Sequence, residues 1–177
     1  MRLVDSQVSS FAPTPVAAGA SYRFERLPSQ QANAAFQDRL EAIAGQALAK
    51  VGLKRQDSAA DLTAQVFLTQ RVESLAPDRS LVGWHLGWRV GPHGGIGMGL
   101  GHAPLFAGLA DRPGYWREVR LILRDSASAA VVFETRASHD GPWADSGAVL
   151  PAMLEAALQG FPNPPPGERR INIDIPR

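Results

Sequence analysis

Apolar residues recur at helical spacing in two stretches of the chain. In the first, Phe36, Leu40, Ile43, Ala44, Ala47, Leu48 and Val51 are separated by threes and fours, which gathers them on one face of a helix. Gly52 follows where a left-handed stop is expected, and Lys50 sits favourably in the last turn. In the second stretch Leu150, Met153, Leu154, Ala157, Leu158 and Phe161 share a face. Asp145 and Ser146 can cap its start, Pro151 belongs near its first turn, and Gly160 with Pro162 ends it. Each stripe is narrow, so each helix is expected to lie on a surface rather than inside a bundle.

Elsewhere the period changes to two, the spacing of strands. Leu62, Ala64, Val66, Leu68 and Val72 share one parity, and after a turn at 75–78 so do Val82, Trp84, Leu86, Trp88 and Val90. Folded back as a hairpin, these runs set Leu68 opposite Trp84 and Val66 opposite Leu86. A second hairpin is sharper, with strands 115–124 and 130–138 flanking the small polar turn 125–129. The register that unites its apolar positions sets Leu121 opposite Phe133 and Leu123 opposite Val131, and on the other face Ile122 opposite Val132. The same register sets Arg120 opposite Glu134 and Glu118 opposite Arg136. Such cross-strand charge pairs contribute about 0.2–1 kcal/mol each, and a one-residue slip would send every apolar side chain to the wrong face.

Residues 4–11 and 21–27 read as two further strands around a loop with Pro13 and Pro15. At the other end Asn163 to Gly167 is too rich in proline for a helix and reads as a stiff connector. Ile171, Ile173 and Ile175 then alternate with polar residues, and the polar positions fit an edge strand or an exchanged tail. The expected fold is α+β: a two-layer sandwich with a mainly antiparallel sheet and two helices on one face. Residues 1–162 are expected to form a single domain, and residues 163–177 a proline-rich connector with a terminal strand.

Composition narrows the function classes. A chain of 177 residues can bury roughly 70% of its unfolded surface, enough to fold without metal or disulfide. Apolar content of 45% rules out a wholly disordered chain. A net charge of +1 argues against a dedicated nucleic-acid binder. The absence of Cys removes thiolate chemistry and Cys-ligated zinc. No run approaches the roughly 20 apolar residues of a membrane span, and residues 1–5 lack the core of a secretory signal.

The chain carries few chemical signatures. Residues 95–101 alternate glycine with Ile96, Met98 and Leu100, without the spacing of a phosphate-binding loop. Extended, that segment would project the three apolar side chains from one face as a partner-binding flap. His85, His93, His102 and His139 form no zinc motif, although His93, His102 and Asp111 share one region. Ser146 is better explained as a helix cap than as a nucleophile, and Asp61 as the end of a turn. Trp84 and Trp88 follow the core parity. Trp116 and Trp143 do not, and they join Ile96, Met98 and Leu100 as candidate partner-binding residues. No catalytic constellation and no cofactor or metal site is expected.

Several separated stretches stand in order along the chain: Val8 to Phe11 with Tyr22-Arg23-Phe24; Leu40, Ile43, Leu48 and Gly52 before Asp61-Leu62; the Trp- and Gly-rich middle from Gly83 to Gly101; and a last helix ending in Phe161-Pro162. Together they resemble a bacterial lipoprotein family known as domain of unknown function 4136. The resemblance implies an exported protein, lipid-anchored in an envelope membrane and facing the periplasm. It carries over no activity, cofactor or catalytic residue. The expected function is therefore a non-enzymatic envelope domain that binds an unidentified envelope protein or surface, or serves a structural role. The alternative is a small-molecule binder or hydrolase with a pocket beside the glycine-rich loop, where His85, His93, His102 and Trp116 would converge.

Overall fold

A computed structural model describes residues 1–73 and 114–176. Its elements run β1 (Arg2–Phe11), β2 (Ser21–Phe24), α1 (Pro28–Gln31), α2 (Ala34–Lys50), β3 (Lys54–Arg55), β4 (Leu62–Glu73), β5 (Gly114–Asp125), β6 (Val131–Gly141), α3 (Ser146–Ala157) and β7 (Glu168–Ile175). The described strands form one open seven-stranded sheet in the order β3-β2-β4-β5-β6-β1-β7. Pairing is antiparallel except where β2 lies parallel to β3 and to β4. The fold is α+β.

Alternation along the strands builds the core. Ala64 and Val66 of β4, Val119, Leu121 and Leu123 of β5, Phe133 and Ala137 of β6 and Val4 and Val8 of β1 are all buried. They share one cluster with Leu40, Ala44 and Leu48 of α2 and with Val149, Met153 and Leu154 of α3. Phe161 closes one side of it, its ring edge-on to Phe133 at 4.9 Å.

The β5–β6 hairpin forms, but its register differs from the expected one by two residues. Leu121 lies opposite Thr135, Leu123 opposite Phe133, Ile122 opposite Glu134, Arg120 opposite Arg136 and Glu118 opposite Ser138. Two local features cause the shift. The turn is closed by Asp125, whose N–H donates to the Ala130 carbonyl at 2.9 Å and whose carbonyl accepts from Ala129 N–H at 2.8 Å, with Ala129 at φ +58. A bulge between Leu123 and Arg124 then inserts one more residue on the β6 side. Beyond the bulge an even shift preserves the face of each side chain, so the apolar row of Leu121, Leu123 and Phe133 survives, whereas the bulge itself sets Val131 opposite Arg124 and buries Val132 in its place. The Arg120–Glu134 ion pair also survives, as a diagonal contact with Arg120 Nε 2.9 Å from Glu134 Oε1.

Other expectations need correction. β2 ends at Phe24 rather than 27, because Glu25 N–H turns to the Ala64 carbonyl and Pro28 opens α1. On α2, Phe36 is exposed, while Gln37 and Glu41 are buried. The stripe rotates because Gln37 Nε2 donates to the Val66 carbonyl and Glu41 receives both Nε and Nη2 of Arg26 at 2.7 Å. Asp145 caps α3 by accepting from Ala148 N–H, which sets Pro151 inside the helix rather than in its first turn. That helix is also buried more broadly than its stripe implied, including Val149, Ala152 and Ala156. The expected partner of β4, residues 82–90, lies outside the described residues. The described partners of β4 are β5 along its whole length and β2 at Leu62–Ala64.

Gly52 and Gly160 do adopt positive φ, at +90 and +88, where each helix has to turn back. The final strand, β7, pairs with β1 from Arg2–Ile175 to Ser9–Glu168.

Thr135 fixes the end of α3. Fully buried, it donates to the Ala157 carbonyl at 2.8 Å and contacts Ser10 Oγ at 2.8 Å. Thr135→Val keeps the shape but leaves that carbonyl and that hydroxyl without their partner. It should lower unfolding free energy by about 1–3 kcal/mol in urea titrations, with the urea dependence unchanged.

Candidate functional site

At one end of the sheet the same strand positions present two different polar surfaces, because neighbouring residues alternate between its faces. On the face away from the core cluster, a groove of about 650 Å³ runs across β5, β6, β1 and β7. Its lining includes Trp116, Asp140, Ser138, Gln7, Asp5 and Arg170. The ladder explains their proximity: Trp116 is opposite Asp140, Gln7 is opposite Ser138, and Arg170 is opposite Gln7.

Two charged contacts mark the groove. Arg71 on β4 holds its guanidinium 5.0 Å from the centre of the Trp116 ring, a cation–π contact. Asp5 takes Arg170 Nε on both carboxylate oxygens, at 2.7 and 2.6 Å. The hydrogen bond from Arg170 holds the Asp5 carboxyl below its ordinary pKa.

Behind the groove, on the core face, lies a buried polar row. Arg117 on β5 is 2% exposed and lies directly opposite His139 on β6, which is 4% exposed. His139 Nδ1 is 2.7 Å from the Asp5 carbonyl, so that nitrogen carries the proton. Ser6, the next residue, is fully buried. Arg117 Nε donates to Ser146 Oγ at 3.0 Å, and Nη2 to the carbonyls of Trp143 and Ala144 at 2.8 and 3.1 Å. Burial pushes the Arg117 pKa below its usual value. Among the described residues, the buried side-chain polar atoms without a partner are Ser6 Oγ, Arg117 Nη1 and His139 Nε2. Arg117 thus directs Nε and Nη2 to the chain leading into α3 and the first residue of that helix, which makes it a fastener of the helix.

The sequence-derived candidates fall differently. Trp116 lines the groove. Trp143 packs against the core cluster beneath the guanidinium of Arg2, 5.0 Å from the ring centre, so the two rings do not share a surface. Ile96, Met98 and Leu100 lie outside the described residues, as do His85, His93, His102 and Asp111. Asp61 accepts from Ser21 N–H and Oγ at 2.9 and 2.8 Å, joining β2 to the start of β4. Nothing in the residue pattern marks Asp5, Ser6 or Arg170 as site residues. For Arg117 a signal existed, since it shares the parity of Val119, Leu121 and Leu123 and interrupts an otherwise apolar row. Among the described residues, no cluster of His, Asp and Glu could hold a metal, and no helix is long and apolar enough to cross a membrane.

Residues 7–163 match the family described as domain of unknown function (DUF4136). No curated protein matches. Among solved structures, a PDZ domain protein from Parabacteroides distasonis aligns over 97% of this chain at 14% identity and a TM-score of 0.50. The chain spans only 38% of that protein's length, and the likeness is one of fold. The PelC dodecamer from Paraburkholderia phytofirmans aligns over 90% of this chain and 99% of its own, at 13% identity and a TM-score of 0.49.

Two outcomes test this geometry. A Cβ at Gly141 would lie 2.7 Å from His139 Nε2, and the ring cannot yield while Nδ1 holds the Asp5 carbonyl. Gly141→Ala should therefore cost about 1–3 kcal/mol in chemical denaturation. The second outcome concerns pH. In the folded chain Asp5 titrates below the ordinary value of 3.8, so the unfolded chain binds the extra proton first. The pair's contribution to stability is present above that ordinary value and is lost as pH falls through the folded one. An NMR titration of the Asp5 carboxyl carbon should show the lowered midpoint, and Arg170→Gln should raise it.

Proposed function

The chain belongs to the family described as domain of unknown function (DUF4136), and from that premise we propose a non-enzymatic domain of the bacterial cell envelope. In this reading the full-length precursor is held at a membrane by a lipid anchor, faces the periplasm and binds a macromolecular partner there. The reading includes a two-layer arrangement, with α2 and α3 on one side of the sheet and the groove on the other. The core shared by both helices with Val119, Leu121 and Leu123 supports that arrangement.

The observation that carries the proposal is the groove. Small-molecule sites are mostly apolar concavities with a few converging polar groups. This groove instead spreads over four strands and mixes Asp5, Arg170, Asp140 and Glu168 with Ser138 and Gln7. Its aromatic, Trp116, is partly exposed and stacked by Arg71, and Trp and Arg are the residue types that anchor macromolecular interfaces.

The test places a photo-crosslinking residue at Ser138 in the groove, or at Asp57, whose side chain is 80% exposed and outside the groove. The full-length protein carrying either is then produced in its own host. A discrete adduct from position 138 in the envelope fraction, absent from position 57 and reduced at least about tenfold by Trp116→Ala, is expected. Recovery of the protein in the cytoplasmic fraction, or identical adducts from both positions, would refute the proposal.

A further inference from the structure

The two edges of the described sheet are built differently. β3, at one edge, is two residues long, and both of them, Lys54 and Arg55, are exposed and charged. Short, basic edges resist the addition of another strand. β7, at the other edge, is eight residues long, a run of about 27 Å. It carries no proline between Glu168 and Ile175, and its register with β1 is unbroken by any bulge. On its far side no strand lies among the described residues, so every second residue presents its N–H and C=O outward. Pro164, Pro165, Pro166 and Pro176 bracket this stretch and limit any added strand to it.

We propose that β7 pairs antiparallel with β7 of a second copy of this chain, about a two-fold axis at Asn172, so that the two sheets become one. The choice of occupant rests on charge. In antiparallel pairing, opposed residues lie on the same face, so a two-fold axis must pass a residue opposite its own copy. Centred on Asn172, the pairing sets Arg170 opposite Asp174 of the second copy, and by symmetry does so twice. On the core face it sets Ile171 opposite Ile173. Centred on Ile171, it would oppose Glu168 with Asp174, which repel. Centred on Ile173, it would oppose Arg170 with Pro176 and form no ion pair. Asp174 is exposed and has no ion-pair partner among the described residues, whereas Arg170 already touches Asp5. The new pairing would extend that contact into an Asp5–Arg170–Asp174 chain of alternating charge. It would also continue the groove lined by Asp5 and Arg170 across the axis.

Light scattering on the eluting protein should report twice the 19.0 kDa chain mass. Asp174→Arg opposes two arginines and Arg170→Asp opposes two aspartates, so each variant alone should lose the dimer. Mixed in equal amounts, they regain both ion pairs and should elute together as a heterodimer. Because the chain has no Cys, a single Asn172→Cys reports the axis directly. Under mild oxidation it should form a disulfide with its own copy, and Asp174→Cys should not, since its two copies would stand about 13 Å apart. This cysteine pair keeps the test decisive if Arg170→Asp fails to fold. A monomeric wild type at all concentrations, a dimer untouched by Asp174→Arg, or equal crosslinking at 172 and 174 would overturn the proposal.

Discussion

The docking of α3 on the sheet is the contact on which the remaining structure depends. The helix is held at both ends by polar side chains rising from the apolar face. Arg117 on β5 takes the Trp143 and Ala144 carbonyls and the Ser146 hydroxyl ahead of it, and Thr135 on β6 takes the Ala157 carbonyl at its end. Between those points the burial of Val149, Met153, Leu154 and Ala156 supplies the apolar driving force, which has no direction of its own. The two polar contacts do have direction, and they fix where along the strands the helix stops. Arg117 is costly to bury without a carboxylate, and its hydrogen bonds to backbone oxygens offset part of that cost.

The same residues connect core and groove. Asp5 accepts from His139 through its carbonyl on one face and holds Arg170 through its carboxylate on the other. Trp116 and Arg117 are neighbours in sequence and point to opposite sides, as do Ser138 and His139. A strand cannot move one member of such a pair without moving the other, so the rigidity that seats α3 also sets the spacing of the outward side chains. The groove is thereby presented on paired strands rather than on a loop, so its outward side chains keep a fixed spacing.

The sheet order gives the chain's two ends a common task. β1 and β7 lie side by side beyond β6, so the first and last described strands build one edge, and the groove lies across it. The opposite edge is made by the short strands β2 and β3, of which β2 is joined to β4 by parallel pairing and by the hydrogen bonds of Ser21 to Asp61. One edge is short and charged, the other long and regular, and the surface with the most varied chemistry accompanies the long one.

Periodicity in the chain was enough to establish the elements that depend on near neighbours: the α2 and α3 helices, the Asp145 cap, the glycine stops at 52 and 160, the strands on either side of the 125–130 turn and the alternation of residues 170–175. Each rests on contacts within a few residues, so the order of side chains encodes it directly. Register, strand order and buried polarity were decided by tertiary structure. The β5–β6 pairing moved by two residues because a bulge and an Asp125-closed turn, which the apolar pattern does not record, took up the difference. Phe36 was left outside and Glu41 brought in because Arg26 and the Val66 carbonyl, distant in sequence, required partners. Arg117 could be buried only because the chain before α3 passes above it with carbonyls free to accept. Short-range spacing carries the first kind of information; the second exists only once distant segments meet and their hydrogen bonds have to be satisfied together.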